Sequence, residues 1–439
     1  MKKRLLLSAL FCMYLLMAAA QRPNIIIVLT DDMGYSDLSC YGNPLIQTPF
    51  LDKMASKGTK ATGYMVSSPT CTPSRVSLLT GRYCTRSQLN APIPPGNKIG
   101  LPDEDVTIAE MLKPAGYNTF MVGKWHLGDI QPYNYPTAQG FDHYYGLLYS
   151  HDYKAPYVKT DTVLKIYRDR TPVITSPGDT SLTTLYTKEA VNFIKQQSKQ
   201  KPFFLYLAHN MPHLPVAASG KYKGKSAGGL YGDVVEEIDA STAAVWKALE
   251  EKGLADNTIF IFTSDNGPWI DFPGRMLGDS LTKPWHVGST GIFRGKKGES
   301  YEGGHRVPFI VYWKNKVPAR TLTNAFTSLD VLPTLAEWLK LPLPTGRTID
   351  GESIAGLLSG KDSHFEHSPI YYVNYGIPEA IRVGDWKLRR AVHDIATPQL
   401  ELFNLKDDPR ERTNLANAYP EKVVSLTKML DQFNGNGAN

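Results

Sequence analysis

Four short runs of this chain are apolar almost without interruption: Asn24 to Leu29, Thr119 to Val122, Phe203 to Leu207 and Thr258 to Phe262. A strand with one wet face alternates polar and apolar residues. A continuous run needs cover on both faces, the condition of strands inside a parallel sheet. Between the runs lie segments of helical period. The clearest carries Val234, Ile238, Ser241, Val245 and Leu249 on one face, with Gly253 as a stop just beyond. Strands alternating with helices predict an α/β layered fold around a large, mostly parallel central sheet. The glycine-rich stretch Gly220 to Gly229 reads as a loop. After about Pro344 the texture changes. Ile381 to Leu388 and Gln399 to Leu405 alternate as antiparallel strands do, and a closing helix is predicted over about Glu421 to Phe433. The expected organisation is an α/β domain over residues 21–344 and a smaller C-terminal α+β subdomain over residues 345–439.

The first twenty residues belong to neither. Lys2, Lys3 and Arg4 precede a mostly apolar stretch, Leu5 to Met17, and the small residues Ala18, Ala19 and Ala20 follow. This is the pattern of a signal peptide, too short for a stable membrane span. A retained N-terminal anchor is the other reading. The expectation is an exported protein, periplasmic or secreted, with no membrane span in the mature chain. The net charge is +6, from 48 Lys and Arg against 42 Asp and Glu; removing the three cations of the leader leaves +3. So small an excess, with no basic cluster, argues against a nucleic-acid partner.

Cys40, Cys71 and Cys84 remain after the leader, and no Cys-x-x-Cys spacing points to zinc. An odd number in an exported chain leaves at least one thiol to be explained. Cys40 and Cys84 can pair, which sequence alone does not decide.

The polar residues that follow the apolar runs are informative. Ligands of open α/β sheets bind outside the carboxyl ends of the strands. Here the first run ends in Asp31-Asp32 and the 258–262 run in Asp265-Asn266-Gly267. The 119–122 run leads to Lys124-Trp125-His126, and the 203–207 run to His209 and His213. Asp31, Asp32, Asp265 and Asn266 offer only oxygen, which suits calcium or, less well, magnesium. The competing reading of Asp31 and Asp32 is that they cap a following helix. Cys71 stands before a predicted helix, with Thr72 as cap and Pro73 as its first residue. A helix N-terminus favours an anion, and Arg75 adds a permanent cation one turn in. By itself such a cysteine is also consistent with a small buried residue.

Taken together these residues resemble the type I sulfatase family. Cys71-Thr72-Pro73-Ser74-Arg75, continuing to Leu79-Thr80-Gly81-Arg82, is similar to the signature in which the cysteine is oxidised to formylglycine. Gly123-Lys124-Trp125-His126-Leu127-Gly128 is similar to the second signature. His213-Leu214-Pro215, Ser264-Asp265-Asn266-Gly267 and Tyr301-Glu302-Gly303-Gly304 fall in the family's order, and the similarity runs from Asn24 to about Leu415. Tyr149-Ser150-His151-Asp152 leans towards the arylsulfatase A and N-acetylgalactosamine-6-sulfatase branch.

The resemblance implies an alkaline-phosphatase-like sandwich and the hydrolysis of sulfate monoesters, with a sulfated carbohydrate or an aryl sulfate as substrate. Galactose or N-acetylgalactosamine sulfate is the first expectation. It further implies calcium held by Asp31, Asp32, Asp265, Asn266 and the modified residue 71, and a maturating enzyme that makes formylglycine from Cys71. Hydrated formylglycine has two hydroxyls, one to attack sulfur and one to expel sulfate. Arg75 would stabilise the hydrated aldehyde, Lys124 and Lys297 would hold sulfate oxygens, and Asp265 would help deprotonate the nucleophile. His213 would protonate the leaving oxygen, and His126 would take a proton during sulfate release. Ser150 and His151 are expected to contact substrate. His143, His364, His367 and His393 read as solvated surface residues, while His209, His286 and His305 stay open. Phosphate or phosphonate ester hydrolysis on the same scaffold is the nearest rival. A glycan-binding protein without the chemistry is another.

Overall fold

The first apolar run forms the middle of the structure. The computed structural model describes residues 22–362, 364–390, 392 and 399–433, so the 1–20 leader and His393 lie outside the described residues. Strand Asn24–Thr30 pairs in parallel with Thr258–Ser264 on one side and Phe203–Ala208 on the other. The two similar runs lie in register, from Asn24 beside Thr258 to Thr30 beside Ser264. Asn118–Gly123 and His143–Leu147 extend the parallel block to five strands. Antiparallel strands flank it and bring the sheet to ten.

The unbroken apolar runs are explained by what covers them. Ile25, Ile27 and Leu29 enter one core with helices Cys71–Thr80 and Val331–Leu339. Ile26 and Val28 enter the opposite core with helices Leu182–Gln196 and Gly229–Glu251. Each strand residue is thus buried whichever way it points. The expected α/β fold is present.

The C-terminal part is a four-stranded antiparallel sheet closed by helix Pro420–Asp431, whose Leu426 and Leu430 pack on Ile381, Leu388 and Leu402. One detail differs from expectation. Ile381 to Leu388 is not one strand but the tip of a hairpin, Ile377–Val383 and Trp386–Arg390, turned at Gly384 with φ of 57°. Its alternation continues across the turn, so periodicity conceals the break. No helix among the described residues is long and apolar enough to cross a membrane.

Candidate active site

The carboxyl ends of the five parallel strands open on one rim, and the polar residues gather there. Asp31 and Asp32 follow the central strand, with Asp32 in the left-handed region at φ of 64°. Asp265 and Asn266 follow the neighbouring strand. The Asn118–Gly123 strand turns sharply at Gly123, φ 107°, where a Cβ would lie 1.8 Å from the Ala208 carbonyl oxygen. Only glycine fits. The turn throws Lys124 and His126 inward, with their backbones pinned to the ends of the neighbouring strands.

Cys71 is itself the first residue of helix Cys71–Thr80, and the cap is Thr70. The expected cap, Thr72, instead lies in the first turn, where its hydroxyl donates to the His126 carbonyl at 2.8 Å. Thr70 is a capping residue type, although it makes no side-chain cap bond here. The Cys71 thiol is buried and lies 3.4 Å from Asp31 Oδ1. Burial and the Asp31 charge push its pKa up, so it stays a thiol at neutral pH.

Three carboxylates meet three cations. Asp31 pairs with Lys124, and Arg75 stands 3.8 Å from it. Arg75 binds Asp265 at 2.9 Å and donates to the Lys124 carbonyl at 2.8 Å. Lys297 Nζ lies 2.8 Å from both oxygens of Asp32. Lys296 points elsewhere, to Asp271 and Glu299. Burial opposes ionisation of Asp31, but Lys124, His213, Arg75 and Lys297 hold it well below the usual carboxylate range. Burial and the neighbouring Asp31 push Asp265 up. Lys124, despite burial, is raised by Asp31, and Lys297 by Asp32.

The histidines differ in their surroundings. His213 Nε2 lies 3.6 Å from Asp32, while its Nδ1 faces the Leu214 carbonyl at 2.6 Å. Burial and Lys297 lower its pKa to about 4. His126 sits with Nε2 3.0 Å from the Ile93 carbonyl and is also held neutral, by burial and Lys124. His209 and His305 are buried away from the cleft, His305 against the Val66 carbonyl. His143 and His364 are exposed, as expected. His367 is not: its ring is 7% exposed and pairs with buried Asp330. The tertiary fold supplies that partner, and nothing local in the sequence announces it.

A cleft of about 220 Å³ opens over this cluster, lined by Cys71, His126, Ser150, His213 and Lys297. Ser150 lies on the wall, 3.5 Å from His213 Nδ1. His151 lies behind it, fully buried, with Nε2 3.0 Å from the Pro215 carbonyl. Asp152, Tyr153, Trp269, Arg275 and Tyr375 also line it, and none is among the site residues expected from sequence. Only Asp152 had a signal, its place beside Ser150 in a resembling motif.

The residues present fit a metal ion. Ligand atoms of Asp31, Asp32, Cys71 and His213 lie within 4.8 Å of one another. Asp265, an expected ligand, lies outside this group and is bound to Arg75. Asn266 donates its amide nitrogen to Asp32 at 2.7 Å, yet its buried Oδ1 has no hydrogen-bond partner in the protein. An orphaned amide oxygen beside carboxylates is a ready ligand for such an ion.

Residues 23–341 match the profile of the Sulfatase family. The chain belongs to that family. A second profile, N-sulphoglucosamine sulphohydrolase, C-terminal, covers residues 288–435. The sulfatase is 36% identical to N-acetylgalactosamine-6-sulfatase of Rattus norvegicus, over 98% of this chain and 89% of the relative. It is 33% identical to N-acetylgalactosamine-6-O-sulfatase of Bacteroides thetaiotaomicron, over 94% and 93%. A solved structure from work on the metabolism of multiple glycosaminoglycans by Bacteroides thetaiotaomicron superposes with a TM-score of 0.80 at 30% identity, covering 94% of this chain and 99% of that one. The protein is therefore a sulfuric ester hydrolase.

Proposed function

We propose that this sulfatase releases sulfate from a sulfated galactose or N-acetylgalactosamine, using formylglycine made from Cys71 and a bound calcium ion. The observation that carries the chemistry is the balanced cluster around Cys71, in which Asp31, Asp32 and Asp265 are matched by Arg75, Lys124 and Lys297. A divalent cation added to this neutral set leaves a net positive site for an anionic ester. Calcium would supply that charge, and the oxygens of Asp31, Asp32, Asp265 and Asn266 are its chemistry. Formylglycine would supply a hydrated aldehyde, an oxygen nucleophile in place of a soft and protonated thiol.

The chain's own groups divide the remaining work. Lys124 and Lys297 hold sulfate oxygens where negative charge grows in the transition state. Arg75, fixed between Asp31 and Asp265, orients residue 71 on the helix start. His213, neutral in the free site, takes up a proton as the bound anion offsets the pull of Lys297, and donates it to the leaving oxygen. His126 is neutral and so able to accept a proton during sulfate release. Asp265 helps deprotonate residue 71.

The sugar reading is supported by the two relatives named above and by a polar cleft walled with Tyr153, Trp269 and Tyr375. Export through the 1–20 leader, a maturating enzyme as partner, and a catalytic domain ending near residue 344 belong to the same proposal.

Sulfate release from a panel of sulfated monosaccharides, aryl sulfates and phosphate monoesters tests it, on protein co-produced with a maturating enzyme. Turnover of aryl sulfates alone would sink the sugar reading. Preference for phosphate would sink the sulfatase assignment. Peptide mass spectrometry on the same sample reads residue 71, and an unmodified thiol in fully active protein would overturn the formylglycine step.

A further inference from the structure

A carboxylate is out of place in a cleft that receives an anion, yet Asp152 is there. It is 4% exposed, lines the same cleft as Ser150 and His213, and its Oδ1 has no hydrogen-bond partner in the protein. Its Oδ2 faces Arg275 at 3.4 Å. Arg275 is held in turn by the Tyr157 carbonyl at 2.9 Å and lies 5.7 Å from the centre of the Trp269 ring. The pair thus lines the same cleft as His213, the group assigned above to the leaving oxygen.

A buried acceptor with an unused oxygen is costly, and a negative charge near the sulfate repels the substrate. Asp152 serves binding only if the alcohol part brings donors. A nitrophenyl group brings none, whereas a sugar ring carries free hydroxyls. We propose that Asp152 is a substrate-binding residue that accepts a hydrogen bond from a sugar hydroxyl near the sulfate ester, with Arg275 fixing the carboxylate. This rests on the sugar-sulfate reading above and adds the group that selects among sugars. A site built around one hydroxyl rejects the analogue lacking it, because the buried carboxylate is then left unpaired. It discriminates far less among substrates that never reach it.

The test uses N-acetylgalactosamine 6-sulfate, its analogues lacking one ring hydroxyl at a time, and 4-nitrophenyl sulfate. Wild-type enzyme should lose about 10- to 100-fold in kcat/KM on one deoxy analogue, the range for a hydrogen bond to a charged group. Asp152→Ala should lose a similar factor on the parent sugar and then treat parent and analogue alike within about threefold. Its turnover of 4-nitrophenyl sulfate should fall by a smaller factor than its turnover of the parent sugar, the residual loss reflecting the charge that Asp152 presents to His213. If the variant keeps the wild-type preference for the hydroxyl, Asp152 acts through His213 or the fold, and the inference fails. Wild-type indifference to every deoxy analogue overturns it without any variant. Wild-type activity confined to the aryl sulfate removes the sugar reading itself, and this inference with it.

Discussion

Arg75 places Nε and one terminal nitrogen each 2.9 Å from the same oxygen of Asp265, and its other terminal nitrogen donates to the Lys124 carbonyl. One side chain thus ties the helix that begins at Cys71 to the ends of two strands. It is fully buried and has a planar fork to fill. Arg75→Lys keeps the charge but cannot span these acceptors at once. The expected outcome is a loss of about 3 kcal/mol of stability, as for a broken buried pair, with sulfate release down at least 100-fold. Urea unfolding and steady-state assays read the two effects separately.

Lys387 makes a comparable connection from the C-terminal sheet. Its Nζ lies 2.9 Å from Glu302 and 2.8 Å from Glu411, all three groups being fully buried. Glu302 also takes the Tyr372 hydroxyl at 2.6 Å and pairs with Arg306. The turn it begins offers the Gly304 carbonyl to the Gly267 amide at 3.0 Å, next to Asn266. Lys387→Met leaves two buried carboxylates facing each other. A destabilisation of about 3–5 kcal/mol is expected. Activity should fall in the same variant even well below its unfolding midpoint, because the turn behind Asn266 loosens. Calorimetry and sulfate release at low temperature check both.

How much of this was legible in sequence follows from where each group sits. Asp31, Asp32, Asp265, Asn266 and Lys124 were readable because they terminate unbroken apolar runs, and parallel strands bring such ends to one rim. Trp269 and Arg275 were not, since the stretch from Asn266 to Tyr301 carries only one short 3-10 turn, Gly274–Leu277, and no period to read. Tyr375 lies between the strands Ile370–Asn374 and Ile377–Val383 of the C-terminal sheet and reaches the cleft only through the tertiary fold. Its sheet is fastened there by Asn374, whose amide donates to the Gly298 carbonyl at 2.9 Å, one residue from Lys297. Thr70 and Thr72 are both capping residue types, and Pro73 favours Thr72 as the cap in sequence, so the true start two residues earlier is hidden.

Metal dependence should follow the oxygen donors. Treatment with a chelator should abolish sulfate release and lower the thermal midpoint, as expected when the ligand of a folded site is withdrawn. Calcium should restore both, and magnesium less completely, since its smaller octahedral shell tolerates few protein oxygens. Asn266→Ala removes the orphaned Oδ1 and should raise the calcium needed for half-recovery by about tenfold or more. Full activity after exhaustive chelation, with no metal found by elemental analysis, would refute the metal site.

His367 predicts a pH dependence of stability unrelated to catalysis. Its Nε2 lies 3.0 Å from Asp330 Oδ2, and its Nδ1 faces the Ser368 carbonyl at 2.7 Å and Glu352 at 3.1 Å. Both ring nitrogens meet acceptors, so both donate and the ring is cationic. Burial works against this, but Asp330 outweighs it and raises the pKa to about 9. In the unfolded chain the value is about 6.5. The folded state therefore binds the proton more tightly, and the stabilisation is complete below about pH 6.5 and lost as pH rises towards 9. Its size is at most about 3 kcal/mol, the shift converted at 1.36 kcal/mol per unit. Urea unfolding between pH 6 and pH 9.5 should show wild type losing stability over that window. His367→Gln should be less stable than wild type at pH 6, and the gap should close by pH 9.5. A gap that stays constant across the window would show that the ring is neutral and that Asp330 is satisfied by Thr327 and Glu352 alone.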